Sequence, residues 1–236
     1  MESLYEIGKR LNNDKITQHG YHRFYPFFFE EFRNENIKLL EIGIHIPAPF
    51  NIWREYFPNA TLYGIEILDI DPSKIPYNSL IFKGDQNDET FLETVVKSIN
   101  SKVDIIIDDG SHHPEHQINT FDYLFTNLLK DGGIYVIEDI ETNYWKNGKL
   151  YGNSIKCGWK NENSIIEIFK GLVDTSINEE FLCCQHLSDE NYDKIKYIMN
   201  DIEMITFGYN CIFIVKKKSE YQEYYDRVYR FLDYVI

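Results

Sequence analysis

Three short segments constrain this chain more than any other feature: IKLLEIGI at 37–44, VDIIIDD at 103–109 and GIYVIED at 133–139. Each is a near-continuous apolar run. None shows the strict alternation of a half-exposed strand, so both faces of the sheet they form must be covered. Stretches of helical spacing at 50–57, 88–100 and 114–129 separate the runs. That alternation of strand and crossover helix predicts a doubly wound α/β fold around a mostly parallel sheet. Further strands are expected at 60–67 and 80–83, and a further helix at 164–172. Residues 202–207 and 211–216, separated by GYN, read as a closing antiparallel hairpin, which gives seven strands in all. Pro114 suits a first helical turn, and the DGG at 131–133 reads as the C-terminal cap of that helix. Three parts are therefore expected: an aromatic-rich helical leader over 1–36, the α/β domain over 37–218, and a C-terminal helix over 219–236.

At 236 residues the chain can bury one sizeable core. A formal net charge of -14 argues against nucleic acid as a partner, because that affinity comes from many Lys and Arg contacts to phosphate. The first residues mix charges and lack the apolar core of a signal peptide, and no stretch suits a membrane span. Cys157, Cys183, Cys184 and Cys211 form neither a metal motif nor a disulfide framework, which points to a reducing, cytoplasmic setting. The leader's HGYHRFYPFFFEEF is dense enough in aromatics to pack on the core or on a second copy of the chain.

The polar residues are more telling by position than by number. Glu41, Glu66, Asp85, Asp108, Asp109, Glu138 and Asp139 all fall at or near the C-terminal ends of expected strands. In open α/β sheets that edge is where ligands bind. Glu66, after the second strand, is placed to accept hydrogen bonds from ribose hydroxyls, or else is a solvated loop acid. Asp85 and Gln86 could hold an adenine edge, or form a turn, and Asp88 reads better as a helix cap.

The run DDGSHHPEHQ at 108–117 holds the densest local chemistry. If its strand neighbours the one that ends in Glu138 and Asp139, then Asp109, Glu138 and Asp139 converge. Three converging carboxylates need a positive charge between them, and hard oxygen ligands select Mg²⁺, Mn²⁺ or Ca²⁺ over zinc. The alternative is that these acids are separately solvated or cap helices. His112 is the candidate general base for a hydroxyl, with His113 and His116 as competitors. From 146 to 160 there are four lysines and no acid, directly after Tyr144 and Trp145. Aromatic faces suit sugar rings and lysines suit a diphosphate, so this segment reads either as an acceptor loop for a nucleotide-linked sugar or as an exposed basic loop.

In order and spacing, LLEIGI, YGIEI, GDQND, DIIIDDGSHH and GGIYVIEDIETNYW resemble the metal-dependent sugar O-methyltransferases of the mycinamicin and macrocin type. These belong to the class I S-adenosylmethionine (SAM) methyltransferases. The leader's DKITQHGYHRFY and the late ITFGYNCIFIVKK are similar to that family as well. The resemblance implies a Rossmann-like fold and transfer of a methyl group from SAM to a sugar hydroxyl, with Mg²⁺ or Mn²⁺ bound. It implies metal ligands at Asp109, Glu138 and Asp139, catalytic roles for His112 and Asp109, and SAM contacts at Glu41, Gly43, Glu66, Asp85 and Asp108, beside Gln86. His113, Tyr144 and Trp145 are the candidates for touching the acceptor. One departure stands out: the family's first loop is glycine-rich, whereas Gly43 is followed by IHIPAPF, so cofactor contacts there must differ in detail. The acceptor expected from the lysines is a nucleotide-linked or surface-polysaccharide sugar, such as a heptose for a capsule, in preference to a macrolide. Other readings of the same residues are methylation of a catechol, a metal-dependent hydrolase or oxygenase, and a non-catalytic subunit that kept the fold.

Overall fold

The computed structural model describes residues 1–44, 48–180 and 198–219. Cys183, Cys184 and all but the first residue of the helix expected over 219–236 lie outside them. The main sheet contains β1 (Lys38–Ile42), β2 (Thr61–Glu66), β3 (Ser79–Lys83), β4 (Val103–Asp108), β5 (Leu129–Glu138), β8 (Ile202–Gly208) and β9 (Cys211–Lys216). A separate small hairpin joins β6 (Gly148–Leu150) to β7 (Asn153–Ile155). The spatial order is β3-β2-β1-β4-β5-β9-β8. The first five pair in parallel, and β9 runs antiparallel to both β5 and β8. Winding thus proceeds outward from β1 to β3, then crosses back to β4 on the other side of β1.

The apolar runs behave as expected of strands covered on both sides. All six residues of β4 are buried. Successive side chains in β1 enter different cores, Leu39 on one face and Leu40 on the other. The Leu40 face is covered by α5 (Glu89–Ile99), α6 (Pro114–Asn127) and α7 (Ile165–Glu180). The Leu39 face is covered by α4 (Ala48–Tyr56) and by the leader, which folds into α1 (Leu4–Arg10), α2 (Asp14–Thr17) and α3 (Tyr25–Phe29). Asp88 caps α5 as expected, accepting hydrogen bonds from the Thr90 and Phe91 amides at 2.9 and 3.3 Å.

The leader's aromatics pack on their own sheet. The Tyr25 ring meets Trp53 at 5.2 Å and Phe213 at 5.6 Å, and Phe28 stacks on Phe213 at 4.4 Å. One expectation is corrected. DGG does not cap α6, which ends at Asn127; the glycines lie inside β5, with Gly132 at φ +74°. Val103 donates to the Leu128 carbonyl at 3.0 Å, and Leu128 and Leu129 are fully buried, so pairing with β4 takes over from the helix before the glycines are reached. Among the described residues, no helix is long and apolar enough to cross a membrane.

Candidate active site

The carboxyl ends of β1 and β4 meet where the winding reverses, and their loops are in contact. The Asp109 amide donates to the Ile42 carbonyl at 3.0 Å, and the Gly43 amide to that of Ile65 at 2.9 Å. Gly43 sits at φ +79°, and a Cβ there would collide with the Asp109 carbonyl and Gly110 Cα. Only glycine permits this approach, which keeps the turn after β4 against β1.

Gln86 braces that turn from within. Its amide nitrogen donates to Asp108 Oδ1 at 3.0 Å and to Thr120 at 3.2 Å, while its oxygen accepts from the Ser111 amide at 2.7 Å. Gln86 was expected at an adenine edge; the structure turns it inward and satisfies it there. Burial pushes the Asp108 carboxyl up to about 6, although the bond from Gln86 opposes that rise. Asp85 stays exposed and accepts from the Asn87 amide at 2.8 Å, a turn of the kind short polar side chains favour.

Ligand-capable atoms of Asp109, His112 and Asp139 lie within 4.8 Å of one another. His112 and Asp139 both hold left-handed backbone, at φ 55° and 52°. For residues with a Cβ such conformations cost on the order of 1–3 kcal/mol and concentrate at functional sites. His112 is 7% exposed, its Nδ1 has no hydrogen-bond partner, and its Nε2 is 3.8 Å from Asp139 Oδ2. Its carbonyl accepts from the Thr142 hydroxyl at 2.6 Å, which fixes the turn.

Five residues that sequence reasoning did not single out complete the site, four from the leader and Asn210 from the turn between β8 and β9. The Lys15 ammonium, 2% exposed, donates to Asp109 and to Glu138 Oε2 at 2.9 Å, and lies 3.2 Å from Glu41. The Tyr25 hydroxyl donates to the other oxygen of Glu138. Asp139 Oδ1 accepts from Tyr21 and from the Asn210 amide at 3.1 Å, and lies 3.0 Å from His19 Nδ1. With that oxygen saturated, Oδ2 is left facing His112. The signal in the sequence was indirect: seven carboxylates at one sheet edge required counter-charge, and the polar residues of DKITQHGY were there to supply it.

Electrostatics follow from this packing. Burial alone would lower the Lys15 pKa, but Asp109, Glu138 and Glu41 outweigh it and hold it well above its ordinary value. Burial and the neighbouring Asp109 charge raise Glu138 well above the usual carboxylate range. Asp109 is raised by burial despite Lys15, and Glu41 likewise. Burial would raise Asp139 too, but its bonds to His19 and Tyr21 bring it below its ordinary value.

The remaining expected residues fall in different surroundings. Glu41 was expected to touch the cofactor; it is fully buried beneath the crevice beside Lys15. Glu138, expected among the metal ligands, is fully buried with both oxygens engaged by Lys15 and Tyr25, outside the Asp109, His112 and Asp139 group. Glu66, 6% exposed at the end of β2, uses Oε1 to accept from the Leu68 amide at 2.9 Å. His113 stacks on His116 at 4.8 Å and lines a cavity of about 520 Å³ with Glu115, Lys156 and Cys157. The lining of that cavity does not include Asp109, His112 or Asp139. Tyr144 is exposed, and Trp145 packs over Gly148. The lysine-rich segment folds into the β6–β7 hairpin, whose turn residue Tyr151 leans over the site: its ring lies 6.1 Å from His112, and Asp109, Asp139 and Glu66 add to the burial that raises its pKa.

The donors fit the groups this edge is read to hold. Asp109 and Asp139 offer hard oxygens suited to a hard divalent cation, and His112 beside them keeps an unpartnered buried nitrogen. Glu66 at the end of β2 suits a ribose.

No family model matches the chain. It is 29% identical over 228 residues to the mycinamicin VI 2''-O-methyltransferase of Micromonospora griseorubida, covering 92% of this chain and 53% of that protein. It is 34% identical over 169 residues to the demethylmacrocin O-methyltransferase of Streptomyces fradiae, covering 69% of this chain and 41% of that protein. Among solved structures it superposes on the MycE methyltransferase of the mycinamycin biosynthetic pathway, in complex with Mg, SAH and mycinamycin VI, with a TM-score of 0.76 at 26% identity. That match covers 92% of this chain and 54% of the other. The chain spans about half the length, or less, of the relatives it matches.

Proposed function

Proceeding from a chain homologous to sugar O-methyltransferases, with their Rossmann-like fold, we propose that it transfers a methyl group from SAM to a sugar hydroxyl with a divalent cation bound. The observation that carries this reading is the convergence of Asp109, His112 and Asp139 at the topological switch point, with Glu66 on the neighbouring strand. When bound, the sulfonium cofactor supplies an electrophilic methyl group and the divalent ion a Lewis acid. An imidazole nitrogen that ligates a cation cannot also take a proton. The reading therefore gives the ion to Asp109 and Asp139, and the proton of the attacking hydroxyl to His112. A positioned base of this kind contributes ~10²–10⁴-fold. Glu66 holds the ribose hydroxyls, Tyr21 and His19 hold Asp139 in place, and Gln86 keeps the turn that carries Asp109 and His112 rigid.

The finer part of the proposal concerns the acceptor. The hairpin that overhangs the site carries Lys149 and is followed by Lys156 and by Lys160, which lies 5.0 Å over the exposed Trp159 ring. Cationic and aromatic groups together favour a nucleotide-linked or surface-polysaccharide sugar over a macrolide. The test is calorimetric titration of SAM and its demethylated product with Mg²⁺ or with EDTA, then mass spectrometry of nucleotide-linked sugars and macrolide glycosides after incubation. Binding of SAM, with turnover lost in His112→Ala but binding kept, is the expected result. Absence of SAM binding in both conditions overturns the methyltransferase reading, and turnover of macrolide glycosides alone overturns the acceptor.

A further inference from the structure

Lys15 occupies an unusual position for a lysine. Its ammonium is 2% exposed and is shared among three carboxylates from three strands: Glu41 of β1, Asp109 just past β4 and Glu138 of β5. Lysine is almost never fully buried unless paired, and here it has three partners. One of these, Asp109, also belongs to the group with His112 and Asp139. A divalent ion on that group would share a ligand with the ammonium and repel it at short range. Glu138 shares the Lys15 ammonium with Asp109, has both oxygens engaged by Lys15 and Tyr25, and is not part of that group.

Resting on the metal-dependent reading above, we propose that Lys15 is a tethered cation that holds the acid cluster assembled in the metal-free protein and competes with the divalent ion for Asp109 and Glu138. Two fully buried carboxylates and a third that is 18% exposed repel one another without compensation, so without this ammonium the ends of β1, β4 and β5 would separate or take up protons. With it the site is preformed, and binding an ion means displacing a charge already in place. Glu138 then joins the ligands only as Lys15 withdraws. The ion binds weakly and exchanges readily as a result, and the fold does not depend on it.

The experiment compares Mn²⁺ binding by wild type and Lys15→Met, by calorimetry and by the EPR signal of free Mn²⁺, together with melting temperatures with and without the ion. The expected result is at least a ~10-fold tighter Mn²⁺ complex in Lys15→Met, equivalent to about 1.4 kcal/mol of lost competition. Its melting temperature should be low in EDTA and restored by Mn²⁺, whereas the wild type should melt at nearly the same temperature in both. Equal Mn²⁺ affinity in the two proteins overturns the role of Lys15 and leaves the metal site standing; no Mn²⁺ binding by either overturns both. Should Lys15→Met fail to fold even with Mn²⁺, the wild type decides alone. Lysine Nζ resonances are followed by ¹⁵N NMR during Mg²⁺ titration, with Lys15→Arg used for assignment. A Lys15 signal that moves with the calorimetric affinity supports competition, and one unchanged at saturation overturns it.

Discussion

At the scale of single residues, the chemistry of this molecule is set by acids that burial would prefer to neutralise. Asp108 is the simplest instance: fully buried, bonded to Gln86, and pushed up to about 6 from 3.8. A carboxyl whose pKa is higher folded than unfolded binds its proton more tightly in the fold. Its contribution is therefore fully present below about pH 4 and is lost as pH rises to about 6, on the order of 3 kcal/mol over that window. Asp108→Asn keeps an acceptor for Gln86 and removes the titration. The difference in stability between wild type and variant, measured by urea unfolding at intervals from pH 4 to pH 7, should move in favour of the variant as pH rises. A pH-independent difference would contradict the assignment. The residues that the sequence did not disclose belong to this scale too. Lys15 is 94 positions from Asp109, and Tyr21 is 118 from Asp139. Pattern along the chain reports local periodicity and cannot report such pairs. What it did report was an excess of acid at one edge that something had to balance.

At the scale of elements, the sequence was most legible where both faces of a strand are buried. β1, β2, β4 and the closing hairpin fall within two residues of where the apolar runs put them, because a continuous run bounded by acids leaves little choice of register. It was less legible where two signals competed, as at DGG, where a glycine pair that suits a helix end lies within a strand already paired to β4. The first loop shows a third case. It lacks the repeated glycines of the resembling family, yet its one glycine, Gly43, is the position at which the ends of β1 and β4 touch. Gly43→Ala must therefore either leave φ +79° or push the Asp109 carbonyl away. A loss of at least ~1–3 kcal/mol is expected, read as a lower melting temperature, together with weaker SAM binding. A variant with wild-type stability and affinity would show that the contact between the two loops is dispensable.

At the scale of the whole molecule, the leader and the sheet form one functional unit. The leader supplies donors to all three acids around the site, and Tyr25, whose hydroxyl reaches Glu138, has its ring seated against Trp53 and Phe213. Phe213 is in β9, far along the chain, and contacts both Phe28 and Tyr25. Its side chain can make no hydrogen bond or ion pair to the site itself. If the acid cluster is held only by local bonds, truncating Phe213 should cost stability and nothing else. If the leader's seat on the sheet sets where Lys15 and Tyr25 reach, the same truncation should also loosen the site. Phe213→Ala is expected to cost ~3–5 kcal/mol, as for other buried aromatics. It should also change Mn²⁺ affinity under conditions where the variant remains folded by circular dichroism. Affinity equal to wild type in folded Phe213→Ala would mean that the site is rigid without its aromatic anchor. A changed affinity would mean that a ring outside the acid cluster acts on the chemistry through the packing between them.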